Sequence, residues 1–302
     1  MNNPSDDRLT LSVVVLNFNG LSFLKVCLDS LYENIDVSFE IIFVDNQSSD
    51  DSVKYIESNY PLVNVTVSPE NGGFAKGNNL GVSKALGKYL LILNNDTILR
   101  SPISMGINVL EKEPSIGVVG AKMTDISGAY RSSACHFPGI IGAISFSHNF
   151  FPRSAFQGVE PLHVLPPYYQ VDWVEASFSL VRRCDFVSIG GYSTDYFMYS
   201  EDVDFCYRIM KKGLKTVYVP GIEYVHFGGF SVARYDLLVI GLNKFFIRNY
   251  SKFYGSACIV ALAFGLSSKA LMFGLAGFIS RRISFKKRSA VYFKALKEIK
   301  WI

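Results

Sequence analysis

Residues 11–31 read Leu-Ser-Val-Val-Val-Leu-Asn-Phe-Asn-Gly-Leu-Ser-Phe-Leu-Lys-Val-Cys-Leu-Asp-Ser-Leu. The first six are a β-branched run of the kind that forms a strand buried on both faces. Apolar residues then recur at 21, 24, 28 and 31, a helical period. The same pairing continues outward. Residues 40–45 (Glu-Ile-Ile-Phe-Val-Asp) predict a second strand and 50–60 a helix opened by an acid. Residues 63–67 predict a third strand and 75–86 a helix behind a Gly pair. Residues 89–94 predict a fourth strand, 103–112 a helix and 116–121 a fifth strand. Strands alternating with helices predict an α/β fold with a mostly parallel sheet flanked by helices.

From 127 to 170 the chain is rich in Gly, Pro, Phe, Tyr and His and shows no period. Long loops and irregular hairpins are expected there, a common place for substrate recognition. Residues 171–183 then predict one strand. Residues 201–212 predict a helix stopped by Gly213, and 215–220 a last strand.

The chain has 302 residues, 49% hydrophobic and 19% charged, which excludes disordered and collagen-like classes. Net charge is only +4, but it is unevenly spread. Residues 237–302 hold 12 Lys and Arg against one acid, Glu298, a net +11 that leaves −7 for residues 1–236. This shift divides the chain into a catalytic-type α/β domain, 1–236, and a basic, apolar tail, 237–302. Five scattered cysteines without a C-x-x-C pair give no zinc or redox signature and predict free thiols in a reducing compartment. Residues 1–10 are polar and acidic with no signal-peptide core, so the body is expected in the cytosol. Nothing in the charge pattern predicts a nucleic-acid partner.

Residues 255–279 contain one charge, Lys269, and are long enough to cross a bilayer. They also hold four Gly, three Ser and five Ala, and Lys269 lies near the middle. Arg281, Arg282, Lys286, Lys287 and Arg288 follow. A helix lying in the interface of an anionic membrane surface is the reading preferred here. A spanning helix and a buried core helix remain open alternatives.

In open α/β sheets ligands sit at the carboxyl ends of strands. Those ends read Asn17-Phe18-Asn19-Gly20, Asp45-Asn46-Gln47-Ser48-Ser49-Asp50, Asn71-Gly72-Gly73-Phe74-Ala75-Lys76-Gly77-Asn78-Asn79 and Asn94-Asn95-Asp96. Each alone is ordinary turn chemistry, but four in succession make a polar rim. The Gly pair follows the third strand and is no G-x-G-x-x-G fingerprint, which argues against a nicotinamide reductase. Backbone N–H groups there suit an anionic ligand, with Lys76 adding charge. Asp96 suits a hard divalent cation bridging phosphate oxygens. Glu201, Asp202 and Asp204 open a helix behind Met198 and Tyr199. Acids are favoured at a helix start by the dipole alone, and a carboxylate in an apolar setting also suits a general base. His226 follows the last strand beside Gly228 and Gly229, where a metal or phosphate role is plausible.

Taken in order across residues 11–230, these motifs resemble a family 2 glycosyltransferase of the GT-A fold, in the rhamnosyltransferase-like branch that builds bacterial surface polysaccharides. The carriers are residues 12–19 (Ser-Val-Val-Val-Leu-Asn-Phe-Asn), Val44-Asp45-Asn46-x-Ser48-x-Asp50, Asn71-x-Gly73-Phe74-x-x-Gly77-Asn78-Asn79, Leu93-Asn94-Asn95-Asp96, residues 171–174 (Val-Asp-Trp-Val), Phe197-Met-Tyr-x-Glu201-Asp202-x-Asp204 and Val225-His226. The resemblance implies a Rossmann-like sheet with a C-terminal helical, membrane-associated extension, and an enzyme that moves a sugar with inversion from a nucleoside-diphosphate donor, dTDP- or UDP-linked. The acceptor implied is a glycan hydroxyl, carried on a polyprenyl lipid at the cytoplasmic face of a bacterial inner membrane.

It also implies roles. Leu16, Asn17 and Asn19 would contact the nucleotide, and Asp45 the imide of its base. Asn71, Gly73, Phe74, Lys76 and Asn78 would cover the nucleotide, with Lys76 near the diphosphate. Asn94-Asn95-Asp96 stands for the family's D-x-D motif with Asn in place of the first acid. Asn95 would touch the nucleotide sugar, and Asp96 would hold Mg²⁺ or Mn²⁺ with His226 as the second contact. Asp202 would be the general base. Trp173, Glu175 and Glu201 would line the acceptor or donor-sugar pocket. The rival of another class is a non-catalytic membrane scaffold with a degenerate transferase fold.

Overall fold

The computed structural model describes residues 9–148, 167–228 and 234–301. The loops expected at 149–166, and Gly229, lie outside the described residues. The strands are β1 (Leu11–Asn17), β2 (Phe39–Asp45), β3 (Asn64–Val67), β4 (Tyr89–Asn94), β5 (Thr97–Leu99), β6 (Ile116–Thr124), β7 (Tyr130–Arg131), β8 (Ala134–Cys135), β9 (Tyr169–Val171), β10 (Trp173–Val174), β11 (Phe178–Arg182) and β12 (Lys215–His226). The helices are α1 (Leu21–Asn34), α2 (Ser52–Asn59), α3 (Gly73–Val82), α4 (Ser104–Lys112), α5 (Ile140–His148), α6 (Arg183–Ser188), α7 (Glu201–Lys211), α8 (Tyr235–Asn249), α9 (Lys252–Ser280) and α10 (Ile283–Leu296).

The main sheet runs β3-β2-β1-β4-β11-β6-β12-β5, with β7 on β6 and β9 on β12. β3, β2, β1 and β4 pair in parallel, as do β6 and β12. β11 is antiparallel to both of its neighbours. Alternate residues of β1 feed two cores. Val13 and Val15 pack with Leu24 and Leu28 of α1, while Val14 packs with Ala75 and Val82 of α3. That two-sided burial is what the β-branched run required.

Three expectations are corrected. Residues 171–183 are three short strands, not one. The Asp172 carboxylate accepts from Phe137 N at 2.9 Å and meets His136 Nδ1 at 3.2 Å, which turns the chain aside. β10 then pairs with β8 in a separate small sheet. A turn through 175–177, closed by Phe178 N on Glu175 O at 3.3 Å, leads into β11. The last strand does not stop at Pro220. A register shift between Val219 and Glu223 absorbs Pro220 and Gly221, and pairing continues to His226. The stretch from 127 also contains β7, β8 and α5 rather than loops alone.

The tail is helical, as expected, but a boundary between 236 and 237 would fall inside α8. Helices α8, α9 and α10 share a third core in which Val203 of α7 is buried and Phe137 and Trp173 are packed at its edge. The tail therefore closes over the same helix that carries the acidic motif.

Candidate active site

The first two strand ends form one hydrogen-bonded unit. Asn17 Nδ2 donates to Asp45 Oδ1 at 2.9 Å and to Ser48 Oγ at 3.0 Å. Ser48 donates to the same carboxylate from Oγ at 2.6 Å and from N at 2.8 Å. Asp45 is 1% exposed, so its carboxylate holds Asn17 and Ser48 in place as well as marking the rim. Asn95 Nδ2 donates to Asn17 Oδ1 at 2.6 Å and ties the fourth strand end to the first. Asn19, with φ of 52°, accepts from Ser49 N at 2.7 Å. Leu16 lies beneath α3, against Gly77.

The third strand end is clamped rather than loose. Asn71 Oδ1 accepts from Gly73 N at 3.1 Å and from Asn46 Nδ2 at 3.2 Å. Gly73 has φ of +76°, and a Cβ there would sit 2.1 Å from Phe197 O. No other residue fits that approach without strain. Phe74 N donates to Phe197 O at 2.8 Å. Lys76 is exposed and meets Glu70 at 3.0 Å. Asn78 is buried, and its Nδ2 donates to Phe74 O at 3.0 Å. Next to it, Asn79 grips both the N–H and the carbonyl of Tyr192, at 2.9 and 2.7 Å.

At the fourth strand end, Asp96 Oδ1 lies 3.2 Å from His226 Nε2, and Asn94 Nδ2 lies 3.4 Å from the same nitrogen. Phe227 N donates to Asp96 O at 2.9 Å. A Cβ on Gly228 would fall 2.4 Å from Asp96 Oδ2 and 2.9 Å from His226 Nε2, so the glycine keeps a small space open against both groups. His226 Nδ1 is buried with no hydrogen-bond partner among the described residues. No set of three or more His, Cys, Asp or Glu gathers there among the described residues. One carboxylate and one imidazole fit a divalent cation that takes its other ligands from substrate phosphate and water. Arg131, hidden in an aperiodic stretch of sequence, donates to the carbonyls of His226 and Gly228 and fixes this corner.

The carboxylates of α7 divide by environment. Asp204 is fully buried against Arg208 Nε at 2.7 Å, Tyr196 Oη at 3.3 Å and Asn249 Nδ2 at 2.9 Å, a structural hub. Glu201 is buried, and its Oε2 has no partner among the described residues. Burial, then the adjacent Asp202, pushes its carboxyl well above the usual range. That places Glu201 in the wall rather than on the open face. Asp202 accepts from Val203 N at 2.8 Å and from Ala176 N at 3.4 Å. Burial raises it to about 6 against the pull of those backbone bonds. Burial, then Asp202, raises Glu175 to about 7. Trp173 donates from Nε1 to His136 O at 3.0 Å and stands between the second and third cores.

One connection joins the two halves. Asn94 N donates to Ser177 O at 3.2 Å, while Ala176 N reaches Asp202. The 175–177 turn therefore bridges the end of β4, next to Asp96, and the carboxylate of Asp202. Residues 12–204, from β1 to this acidic helix, match the family described as Glycosyl transferase family 2.

The chain belongs to glycosyl transferase family 2. It is a nucleotide-sugar glycosyltransferase with a GT-A fold, and the reductase and scaffold readings fall away. A 240-residue stretch is 28% identical to N-acetylglucosaminyl-diphospho-decaprenol L-rhamnosyltransferase of Mycobacterium tuberculosis, covering 74% of this chain and 78% of that one. Rhamnosyltransferase WbbL of Escherichia coli is 27% identical over 71% of this chain and 82% of its own. Among solved structures, the mannosyltransferase PcManGT of Pyrobaculum calidifontis, in complex with GDP-Man and Mn2+, superposes with a TM-score of 0.57 at 15% identity, covering 96% of this chain and 86% of that one. GalNAc-T7, with UDP, GalNAc and Mn2+, gives 0.61 at 17%, covering 83% of this chain and 51% of that one.

In the transferase, hydrogen bonds join Asn17, Asn19, Asp45, Asn71, Gly73 and Asn95 along one rim, and Asp96 lies beside His226. Leu16 packs against α3, Asn78 is buried within it, and Trp173 lies between two cores. Lys76 points to Glu70, and Glu201 faces inward. Sequence reasoning passed over Arg131 and Asn249, and it gave no separate role to Asn79 and Asp204 although both lie in the motifs it used. All four hold other groups in place. Asn79 and Asp204 each end a motif, the Gly-Asn-Asn and Glu-Asp-x-Asp runs, whereas Arg131 and Asn249 carry no local signal.

Proposed function

We propose that the enzyme transfers a rhamnose-like or other hexose, with inversion, from a dTDP- or UDP-linked donor to a hydroxyl of a polyprenyl-linked glycan, in surface-polysaccharide assembly at the cytoplasmic face of a bacterial inner membrane. The observation that carries this reading is the 175–177 turn, which links the Asp96 end of β4 to Asp202. A leaving diphosphate and an incoming hydroxyl need opposite help, and these groups sit on either side of one short turn.

Asp202 takes the proton of the acceptor hydroxyl. Its environment disfavours the charged form, so the ionised carboxylate is a stronger base than a solvated one. Direct attack on the anomeric carbon from the face opposite the nucleotide inverts that centre. Asn17, Asn19 and Asp45 hold the base and ribose end of the donor, and Asn71, Gly73 and Phe74 cover it, with Leu16, Lys76, Asn78 and Asn95 around them. Trp173 and Glu175 line the sugar side, and Glu201 backs it. Asp96 and His226 would hold Mg²⁺ or Mn²⁺. A divalent ion there supplies charge stabilisation for the departing diphosphate.

The lipid-linked acceptor is supported by the acceptor named in the mycobacterial relative and by α9, a helix long and apolar enough to cross a membrane. The test offers dTDP-rhamnose and UDP-hexoses in turn, with N-acetylglucosaminyl-diphospho-polyprenol as acceptor. A glycolipid product of inverted anomeric configuration is expected with one donor. Release of nucleotide without any glycolipid product from every donor contradicts the acceptor assignment.

A further inference from the structure

One stripe of outward-facing residues runs along α9, flanked on one side by exposed Tyr254, Met272 and Ile279. Phe253, Val260, Phe264, Leu271, Leu275 and Phe278 are all exposed, from 57% for Val260 up to 88% for Phe253. They follow one another by 7, 4, 7, 4 and 3 residues, which keeps them on one side of a helix. The stripe runs about 38 Å at 1.5 Å per residue. The opposite side of the same helix carries Cys258, Ile259, Leu262 and Leu266, buried with Val239, Phe245 and Phe246 of α8.

Lys269 belongs to the buried side. It is 6% exposed, and its Nζ stands 5.4 Å over the Tyr292 ring of α10. The charge that weighs against lipid contact is thus turned away from the stripe. The small residues of α9 have a parallel explanation. Ser289 Oγ donates to Ala270 O at 2.8 Å, and a Cβ on Gly277 would meet Lys286 N at 3.1 Å. They let α10 lie close along α9, and they are not defects in a spanning helix.

We infer that α9 docks flat on an anionic lipid leaflet through this stripe, with the basic start of α10 beside it. A spanning helix would have to strip its inner face from α8 and α10. An in-plane helix keeps that packing and puts only the outer stripe among acyl chains. Charge selects the occupant. Arg281, Arg282, Lys286, Lys287 and Arg288 are exposed at the end of the stripe. Residues 252–302 hold ten Lys and Arg and a single acid. A second copy of the chain would bring the same charge to the same face, whereas anionic headgroups neutralise it. Each basic residue near such a surface strengthens binding about fivefold. The inference rests on the proposed lipid-linked acceptor for its purpose, while its evidence is the surface itself.

Flotation of the full-length protein with vesicles tests it, using phosphatidylglycerol–phosphatidylcholine against phosphatidylcholine alone. Wild type should float with the anionic vesicles and much less with the neutral ones. Phe264→Asp with Phe278→Asp should stay at the bottom, with its melting temperature and transfer to a soluble acceptor analogue unchanged. Arg282→Gln, Lys286→Gln and Lys287→Gln together should weaken anionic binding about a hundredfold. Wild type that remains at the bottom overturns the inference, and so does an Asp double variant that floats as well as wild type. A wild-type dimer that the Asp variant converts to monomer, with flotation unaffected, overturns it in favour of self-association. Transfer to the polyprenyl acceptor in detergent is measured in parallel. Transfer without flotation rejects the docking surface alone, and flotation without transfer rejects the acceptor reading alone.

Discussion

Asn249 Nδ2 donates to Asp204 Oδ1 at 2.9 Å, joining the last residue of α8 to the helix that opens with Glu201 and Asp202. Tyr207 Oη adds a bond to Asn249 O at 2.9 Å. A Cβ on Gly241 of α8 would lie 2.5 Å from Tyr199 O, so α8 meets the segment that leads into α7 at backbone distance. The tail thus holds the α7 entry that aims Asp202.

Asn249→Ala should lower kcat while leaving donor affinity intact. The buried Asp204 carboxylate loses one of its donors, which costs about 1–3 kcal/mol of stability. Stopped assays and a thermal melt measure both effects. An unchanged kcat in a destabilised protein would show that α8 supports the fold without aiming the base. On the same contacts, removing residues 237–302 should abolish transfer to every acceptor, soluble ones included.

The pH dependence follows from the raised carboxyls. Transfer needs ionised Asp202, so kcat should fall as pH drops through about 6. Glu175, raised to about 7, and the raised carboxyl of Glu201 both interact with it, and the acid limb should be broad because the values belong to the group of carboxyls together. Glu175→Gln should narrow that limb, leaving Asp202 and the raised carboxyl of the adjacent Glu201 to shape it. Stability moves the other way. Between the ordinary carboxylate range and these raised values the folded chain binds more protons than the unfolded one, so Asp202 and Glu175 lower stability progressively as pH rises from about 4 to about 7. Relative to wild type, Glu175→Gln should therefore gain more in melting temperature at pH 8 than at pH 5. Equal gains at both would contradict the burial assigned to Glu175.

Chelation should abolish activity, and Mn²⁺ or Mg²⁺ should restore it. Gly228→Ala places a methyl group against Asp96 Oδ2 and His226 Nε2. It should raise the metal concentration for half-maximal activity at least tenfold without loss of nucleotide binding. A metal titration of both proteins checks this, and full activity in excess chelator would remove Asp96 and His226 from that role.

Asp45→Ala leaves Asn17 and Ser48 without their shared acceptor. Donor binding should weaken by about 1–3 kcal/mol, the scale of a lost hydrogen bond to a charged group and the partners it orphans. Calorimetry with UDP and dTDP measures it. Unchanged affinity for both would mean that the rim keeps its shape without the carboxylate.

The parallel strands and their polar ends are legible in the sequence because each depends on local pattern. Val13 to Val15 must be buried on both faces, and Asn, Asp and Gly must follow. The joints of the site are less legible because they depend on contacts distant in sequence. Residues 171–183 read as one strand until Asp172 finds Phe137 N. Pro220 reads as an end until a bulge carries β12 on to His226. Arg131 has no periodic context, and its purpose is set by the carbonyls of His226 and Gly228. Lys76 reads as a phosphate contact from its loop, yet Glu70 lies within reach of it. In α9 the apolar run was plain, and the facing of Lys269 toward Tyr292 was a matter of helix phase against α10.

The most direct test of the account is the turnover of Asp202→Asn, which keeps shape and hydrogen-bonding reach and removes basicity. Transfer to the glycan acceptor should fall by about 10²-fold or more, the lower end of general-base contributions. Donor affinity measured by calorimetry should stay within a factor of about two. A variant that binds donor normally and transfers at close to the wild-type rate would contradict the assignment of Asp202 as the base.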